Sequence, residues 1–303
     1  MISLVAVLTV LHATPPAPPR RAVLVGTNAA VEGRAPLRFA HGDAQSLAEV
    51  LRSSGGFSAA DVVVLLDPTP EAVLSALESA RTALASSEGL LVFYYSGHAD
   101  EARLYPGGRA LTLEALRERL ADATPGVRIG IIDACRGGGW THAKGLEPTA
   151  PFEVGLPALS SEGTALIAAS SGLEEAHEAE ALHGSFFTHH LVAGLRGAAD
   201  HSGDGQVTLS EAFGYANRLT IRDTATRARE AQHPSFDFRL RGRQDVVLTS
   251  VQSAGAQLVL AQDRGPLEVV QLSTGLTVVE ALPGERVVRL TLPPGAYLVR
   301  RVL

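Results

Sequence analysis

The chain has one cysteine, Cys135, among 303 residues. That excludes an intrachain disulfide and any metal site built on several thiolates. A basic excess is also missing: 26 Lys and Arg stand against 32 Asp and Glu, for a formal net charge of −6 at pH 7. With its arginines scattered, the chain has no electrostatic footprint for nucleic acid. No H-E-x-x-H or comparable histidine spacing occurs, which argues against a catalytic zinc. There is no internal repeat. The apolar run Ile2 to Leu11 is too short to span a bilayer, and no later segment is long and apolar enough to do so.

That first run is followed by His12-Ala13-Thr14 and then Pro15-Pro16-Ala17-Pro18-Pro19. It reads as the apolar stretch of a secretory signal cleaved near Ala13, which implies a periplasmic or secreted protein. No Lys or Arg precedes it, and the alternative is a first strand of a cytoplasmic protein. Residues 1–20 are assigned to this signal and a Pro-rich linker.

What remains is rich in core material. Apolar residues make up 46%, charged residues 19%, and mean hydropathy is +0.13. Such a chain buries a core rather than staying disordered. Arg21–Thr27, Asp61–Leu66, Gly89–Tyr95, Val127–Ile132 and Thr164–Ala169 read as strands. Helical spacing covers Gly42–Arg52, a segment opening at Asp67-Pro68-Thr69 and running through Ala85, and Leu111–Ala121 with Thr112 as its cap. Strand and helix alternate, which predicts an α/β domain: a mostly parallel sheet flanked by helices. Gly and Pro crowd Trp140–Ser161, read as a long loop. Gly184–Ala199 and Thr208 to about Asp223 read as further helices. From Asp245 the pattern becomes short Val/Leu strands split by Gly and Pro: Ala256–Ala261, Leu267–Leu272, Leu276–Ala281, Arg286–Leu292 and Ala296–Val302. These predict a small C-terminal all-β domain over 244–303, sandwich-like, with an unidentified partner, after a domain over 21–243.

Cys135 stands in Ile131-Ile132-Asp133-Ala134-Cys135-Arg136-Gly137, where an apolar strand gives way to a glycine-rich turn. Upstream, Leu90-Leu91-Val92-Phe93-Tyr94-Tyr95-Ser96-Gly97-His98 delivers a histidine to another strand end. Ligands of parallel sheets bind beyond such carboxyl ends. A thiol is attacked into service only as thiolate, which a neighbouring imidazole promotes.

Asp133-Ala134-Cys135-Arg136-Gly137 closely matches the signature Q-A-C-[RQG]-G, with a histidine upstream. The chain resembles the caspase-like cysteine peptidases, peptidase family C14, and within them the bacterial caspase, metacaspase and paracaspase branch. Leu37-Arg38-Phe39-Ala40-His41-Gly42-Asp43-Ala44 and Gly184-Ser185-Phe186-Phe187 extend the likeness, which runs from about Arg21 to Leu240. The resemblance implies Cys135 as nucleophile, His98 as general base and acid, and the N–H groups of Ala99 and Cys135 as oxyanion donors. The family usually has glycine where this chain has Ala99. It also implies no cofactor for the chemistry. Asp133 and Asp43 are expected to line the S1 pocket, with Ser170 beside them, and two carboxylates favour Arg or Lys at P1 of a protein or peptide substrate. The plainer reading is that Asp43 caps its helix and Asp133 orients a loop. Lys144 is the basic residue of the 140–161 loop and so the candidate for self-cleavage. A homologue that binds without cutting, a silent recruitment module, is the alternative function.

One further motif is Asp200-His201-Ser202-Gly203-Asp204-Gly205-Gln206-Val207-Thr208-Leu209-Ser210-Glu211. It fits a twelve-residue EF-hand loop, with Asp200, Ser202, Asp204, the Gln206 carbonyl, Thr208 and Glu211 as Ca2+ ligands. Ser202 in place of a carboxylate or amide predicts weak affinity. The alternative is an Asp/Gly-rich connector capping the next helix.

Overall fold

The computed structural model describes residues 18–85, 87–120, 126–134, 162–170, 178–180, 182–227, 231–241, 245–253, 257–260, 265–281 and 287–301. The proposed signal segment up to residue 17, Cys135, Lys144 and the 140–161 loop lie outside them. In chain order the elements begin with β1 (Arg20–Gly26), α1 (Ala40–Ser54), β2 (Val62–Leu66), α2 (Pro70–Leu84) and β3 (Gly89–Ser96). They continue with β4 (Arg103–Leu104), β5 (Leu111–Thr112), α3 (Leu113–Leu120), β6 (Gly126–Asp133) and β7 (Glu162–Ala168). Next come β8 (Glu178–Ala179), β9 (Gly184–Ser185), α4 (Phe186–Ala193), β10 (Gln206–Thr208), α5 (Leu209–Arg227), β11 (Ser235–Arg241) and β12 (Val247–Ser250). The C-terminal strands are β13 (Gln257–Leu260), β14 (Leu267–Gln271), β15 (Leu276–Ala281), β16 (Val288–Thr291) and β17 (Tyr297–Arg301).

Among the described residues the main sheet has the order β11-β7-β6-β3-β1-β2. Its strands are parallel except β11, which runs antiparallel to β7 along the edge. Every residue of β3 and β6 is buried, as a strand covered on both faces requires, and this is why both read as unbroken apolar runs. Alternate side chains feed two cores. Ala22, Leu24, Val92, Tyr94, Ile129 and Ile131 pack under α1, α4 and α5. Val23, Val25, Leu91, Phe93, Tyr95 and Ile132 pack under α2 and α3.

Local chemistry sets the helix starts. Thr69 caps α2 by accepting from the Ala72 N–H at 3.3 Å, and Pro70 opens its first turn. Thr112 caps α3 as expected, but Leu111–Thr112 pair with β4 and the helix begins at Leu113. Likewise Gly184–Ser185 are extended, because the Ser185 N–H donates to Asp43 and its hydroxyl caps α4 by accepting from the Thr188 N–H. Beyond Ala193 the helix widens into a π turn through Ala198. β11 and β12 were not anticipated as strands. β12 pairs antiparallel with β10, Gln206 opposite Ser250.

The expected C-terminal β segment is present as a three-stranded sheet, β15-β14-β17, and a two-stranded one, β13-β16. It is fused to the first core: Leu260, Val269, Val279, Ala281, Leu290 and Leu292 belong to the same buried cluster as α4 and α5. Polar clasps add to it. Arg222 of α5 holds Glu280 of β15 with two bonds of 2.6 and 2.7 Å, and the Tyr215 hydroxyl donates to the Glu280 carbonyl. Gly197 has φ +117°, and a Cβ there would lie 2.1 Å from the Arg289 carbonyl oxygen. Only glycine allows this approach. Among the described residues no helix is long and apolar enough to cross a membrane.

Candidate functional site

β3 and β6 are neighbours in register, Ser96 opposite Asp133. Just past them the Gly97 N–H donates to the Asp133 carbonyl at 3.2 Å. A Cβ on Gly97 would come within 2.2 Å of the Thr27 side chain and 2.6 Å of the Tyr95 hydroxyl, so glycine is needed for the chain to turn here. His98 therefore emerges at the carboxyl end of β3, beside the end of β6 from which Asp133-Ala134 lead into Cys135.

His98 is buried, at 6% exposure. Its Nε2 lies 2.8 Å from the Ala35 carbonyl oxygen. A carbonyl can only accept, so Nε2 carries a proton toward Ala35. Nδ1 has no hydrogen-bond partner among the described residues. Two bonds hold the backbone: the His98 carbonyl accepts from the Tyr95 hydroxyl at 2.7 Å and from the Tyr105 N–H at 3.1 Å. Burial pushes the Tyr95 phenol far up from its ordinary pKa, so it stays a donor.

Ala99 pairs with Leu104 across an isolated antiparallel bridge. The bonds of that bridge, Tyr105 N–H to His98 and Asp100 N–H to Arg103, flank Ala99 rather than using its own polar groups. The Ala99 carbonyl accepts from Arg34 at 2.6 Å. Its N–H meets no acceptor among the described residues, the state an oxyanion donor requires.

The two aspartates converge. Asp43, on the first turns of α1, is 5% exposed and Asp133, ending β6, is 3% exposed. Ser185 joins them: its N–H donates to Asp43 at 3.2 Å and its hydroxyl donates to Asp133. Ser96 adds a bond to Asp43 at 3.2 Å, and Thr188 one to Asp133 at 2.5 Å. Burial, then the charges of Asp43 and Asp133, push the Tyr94 phenol well above its ordinary value; its hydroxyl meets that of Thr188 at 2.6 Å. Two buried carboxylates are thereby wrapped in hydroxyl and amide donors. Gly184 must be small, because a Cβ there would sit 2.7 Å from an Asp43 oxygen. A cleft of about 230 Å³ reaches Asp43 and Thr188 between α1, α4 and the C-terminal sheet, with Arg196 and Tyr297 in its far wall.

Ser170 is fully buried, and its hydroxyl donates to the Ala134 carbonyl at 3.0 Å, bracing the residue before Cys135. Sequence reasoning did not single out Ser96, Ser185, Thr188 or Ala35. Ser185 stood in a motif noted for other reasons, and a lone hydroxyl or carbonyl carries no periodic signal.

The Asp200–Glu211 loop lies apart from this cluster in the chain. Asp200 accepts from the N–H groups of Gly203 and Gly205, and Asp204 from Gln206. Glu211 accepts from the N–H groups of His201, Ser202 and Thr208. Among the described residues no three carboxylate, imidazole or thiol groups converge as a cation cage. The loop's carboxylates accept from its own backbone, and Glu211 pairs with Thr208 to cap the start of α5.

A family model described as the caspase domain, of the C14 peptidases, matches residues 19–243. Among solved structures, caspase-1 from Spodoptera frugiperda aligns with a TM-score of 0.53 and 14% identity, over 76% of this chain and 90% of that one. At that identity the likeness concerns the fold alone. No curated protein matches the sequence.

Proposed function

From the premise that this chain belongs to the caspase-domain family of C14 cysteine peptidases, we propose that it is an endopeptidase cleaving after Arg or Lys. The observation that carries the reading is the placement of His98: Nε2 bonded to the Ala35 carbonyl, with Nδ1 left without a hydrogen-bond partner among the described residues. Such a ring takes the Cys135 thiol proton. The thiolate attacks the scissile carbonyl carbon, and the developing oxyanion is met by the N–H groups of Ala99 and Cys135. As the tetrahedral intermediate collapses, His98 returns the proton to the leaving amine and a thioester to Cys135 remains. A water molecule, deprotonated by His98, then hydrolyses that thioester and restores the thiol.

Asp43 and Asp133 support the preference for a basic P1 side chain. A guanidinium entering between them forms charge-assisted bonds and neutralises carboxylates held by Ser185. Self-cleavage at Lys144 follows from the same preference.

The test is hydrolysis of fluorogenic peptides with Arg, Lys, Asp or Leu at P1 by wild type and Cys135→Ala, with and without Ca2+. Activity on Arg or Lys that disappears in the variant supports the proposal. Activity on P1 Asp overturns the pocket while keeping the peptidase. A folded wild type inactive on every peptide favours the silent recruitment module.

A further inference from the structure

The loop between β1 and α1 touches the catalytic segment at two successive residues. Ala35 accepts from His98 Nε2 at 2.8 Å. Its neighbour Arg34 donates to the Ala99 carbonyl at 2.6 Å, with the guanidinium 6.0 Å above the Tyr105 ring. The two contacts govern different parts of the proposed chemistry: one orients the imidazole, the other the residue whose N–H faces the oxyanion.

The loop is built to hold still. At its root Asp67, in the left-handed region with φ 46°, accepts from the Thr27 hydroxyl and from the N–H groups of Asn28 and Ala29 at 2.9 to 3.1 Å. A non-glycine residue persists there only where its surroundings over-determine it. Further along, Asn28 accepts from the Leu37 N–H and donates to the Arg38 carbonyl, closing the loop on itself. Arg34 itself is pinned by its N–H to Val31 at 2.7 Å. Pro36 fixes the backbone after Ala35 and favours an extended Ala35.

Ala99 needs such a hold. Its flanking bridge fixes the peptide planes on either side through His98 and Asp100, but its own carbonyl has no backbone donor among the described residues. In an extended residue the N–H and C=O point to the same side. A charge-assisted bond to the carbonyl therefore sets the direction of the N–H as well. We propose that Arg34 is a positioning residue for the oxyanion hole, orienting Ala99 through its carbonyl. This rests on the peptidase reading above.

The test separates the two contacts. Arg34→Ala is expected to lower kcat about 10- to 100-fold with KM changed less than about 3-fold, since the misplaced donor matters only once the oxyanion forms. Binding of a P1-Arg peptide aldehyde, whose thiohemiacetal needs the same donor, weakens in step. Alkylation of Cys135 by iodoacetamide, which forms no oxyanion, keeps its rate and pH profile, and Arg34→Lys recovers part of kcat. A loss confined to KM, a parallel fall in alkylation, or unchanged kcat overturns the proposal. A wild type that cleaves no peptide refutes the peptidase reading instead. The positioning claim is then judged by the backbone nitrogen of Asp100, whose NMR shift responds to the bond on the Ala99 carbonyl: no shift in Arg34→Ala refutes it.

Discussion

The Ser185 hydroxyl donates to the Asp133 carboxylate across 52 residues of sequence. The same residue's N–H reaches Asp43 and its oxygen caps α4. One serine thus joins the end of β6, the first turns of α1 and the start of α4. Ser185→Ala removes a helix cap and a bond to a buried carboxylate, and is expected to cost about 1–3 kcal/mol. Urea unfolding measures it. A loss under about 0.5 kcal/mol would show that the three elements do not depend on this junction.

Asp43→Asn and Asp133→Asn address specificity. Each keeps size and most hydrogen bonds but removes one charge from the proposed P1 pocket. Activity on P1-Arg peptides is expected to fall about 100-fold, from loss of a charge-assisted bond. The comparison is kcat/KM on Arg and Leu peptides. Equal losses on both would assign the carboxylates to the scaffold rather than the pocket.

His98→Ala removes the proposed proton carrier, and peptide hydrolysis should fall by about 10³-fold or more. Ala35 offers only its carbonyl, so substitutions of its side chain that keep the loop should leave the rate within about 3-fold. A large effect of Ala35→Ser on kcat would contradict a purely backbone role.

Acid stability tests the clasp behind α4. Burial opposes ionisation of Asp223, but His190 and Arg222 outweigh it and hold its pKa below the usual carboxylate value. A lowered folded pKa stabilises above the unfolded value and loses that contribution as pH falls through the folded one. Stability should therefore decline from about pH 4 downward. Asp223→Asn should flatten this part of the profile, as read by unfolding between pH 2 and 6. An unchanged slope would assign the acid sensitivity to other carboxylates.

Much of this was legible in the chain itself. β3 and β6 declared themselves because strands buried on both faces read as continuous apolar runs, and a histidine and a cysteine followed them. Asp43 and Asp133 were found through family motifs. What joins them was not legible: Ser185 lies 142 residues from Asp43 in sequence, and a single hydroxyl looks the same in a cap, a turn or a pocket. Arg34 and Ala35 act through a backbone carbonyl at one end of each bond, where residue type leaves no trace. β11 is an edge strand of alternating character, Ser-Phe-Asp-Phe-Arg-Leu-Arg, easily passed over beside the unbroken apolar runs.

The fused core has a consequence for how such a chain could be cut and recombined. The family match ends at residue 243, yet β12 beyond it completes a ladder with β10, and the final strands cover apolar faces of α4 and α5. A gene boundary drawn there would sever a hydrophobic interior rather than a tether. The last sixty residues share the interior of the caspase domain and so are not a cassette that can be exchanged.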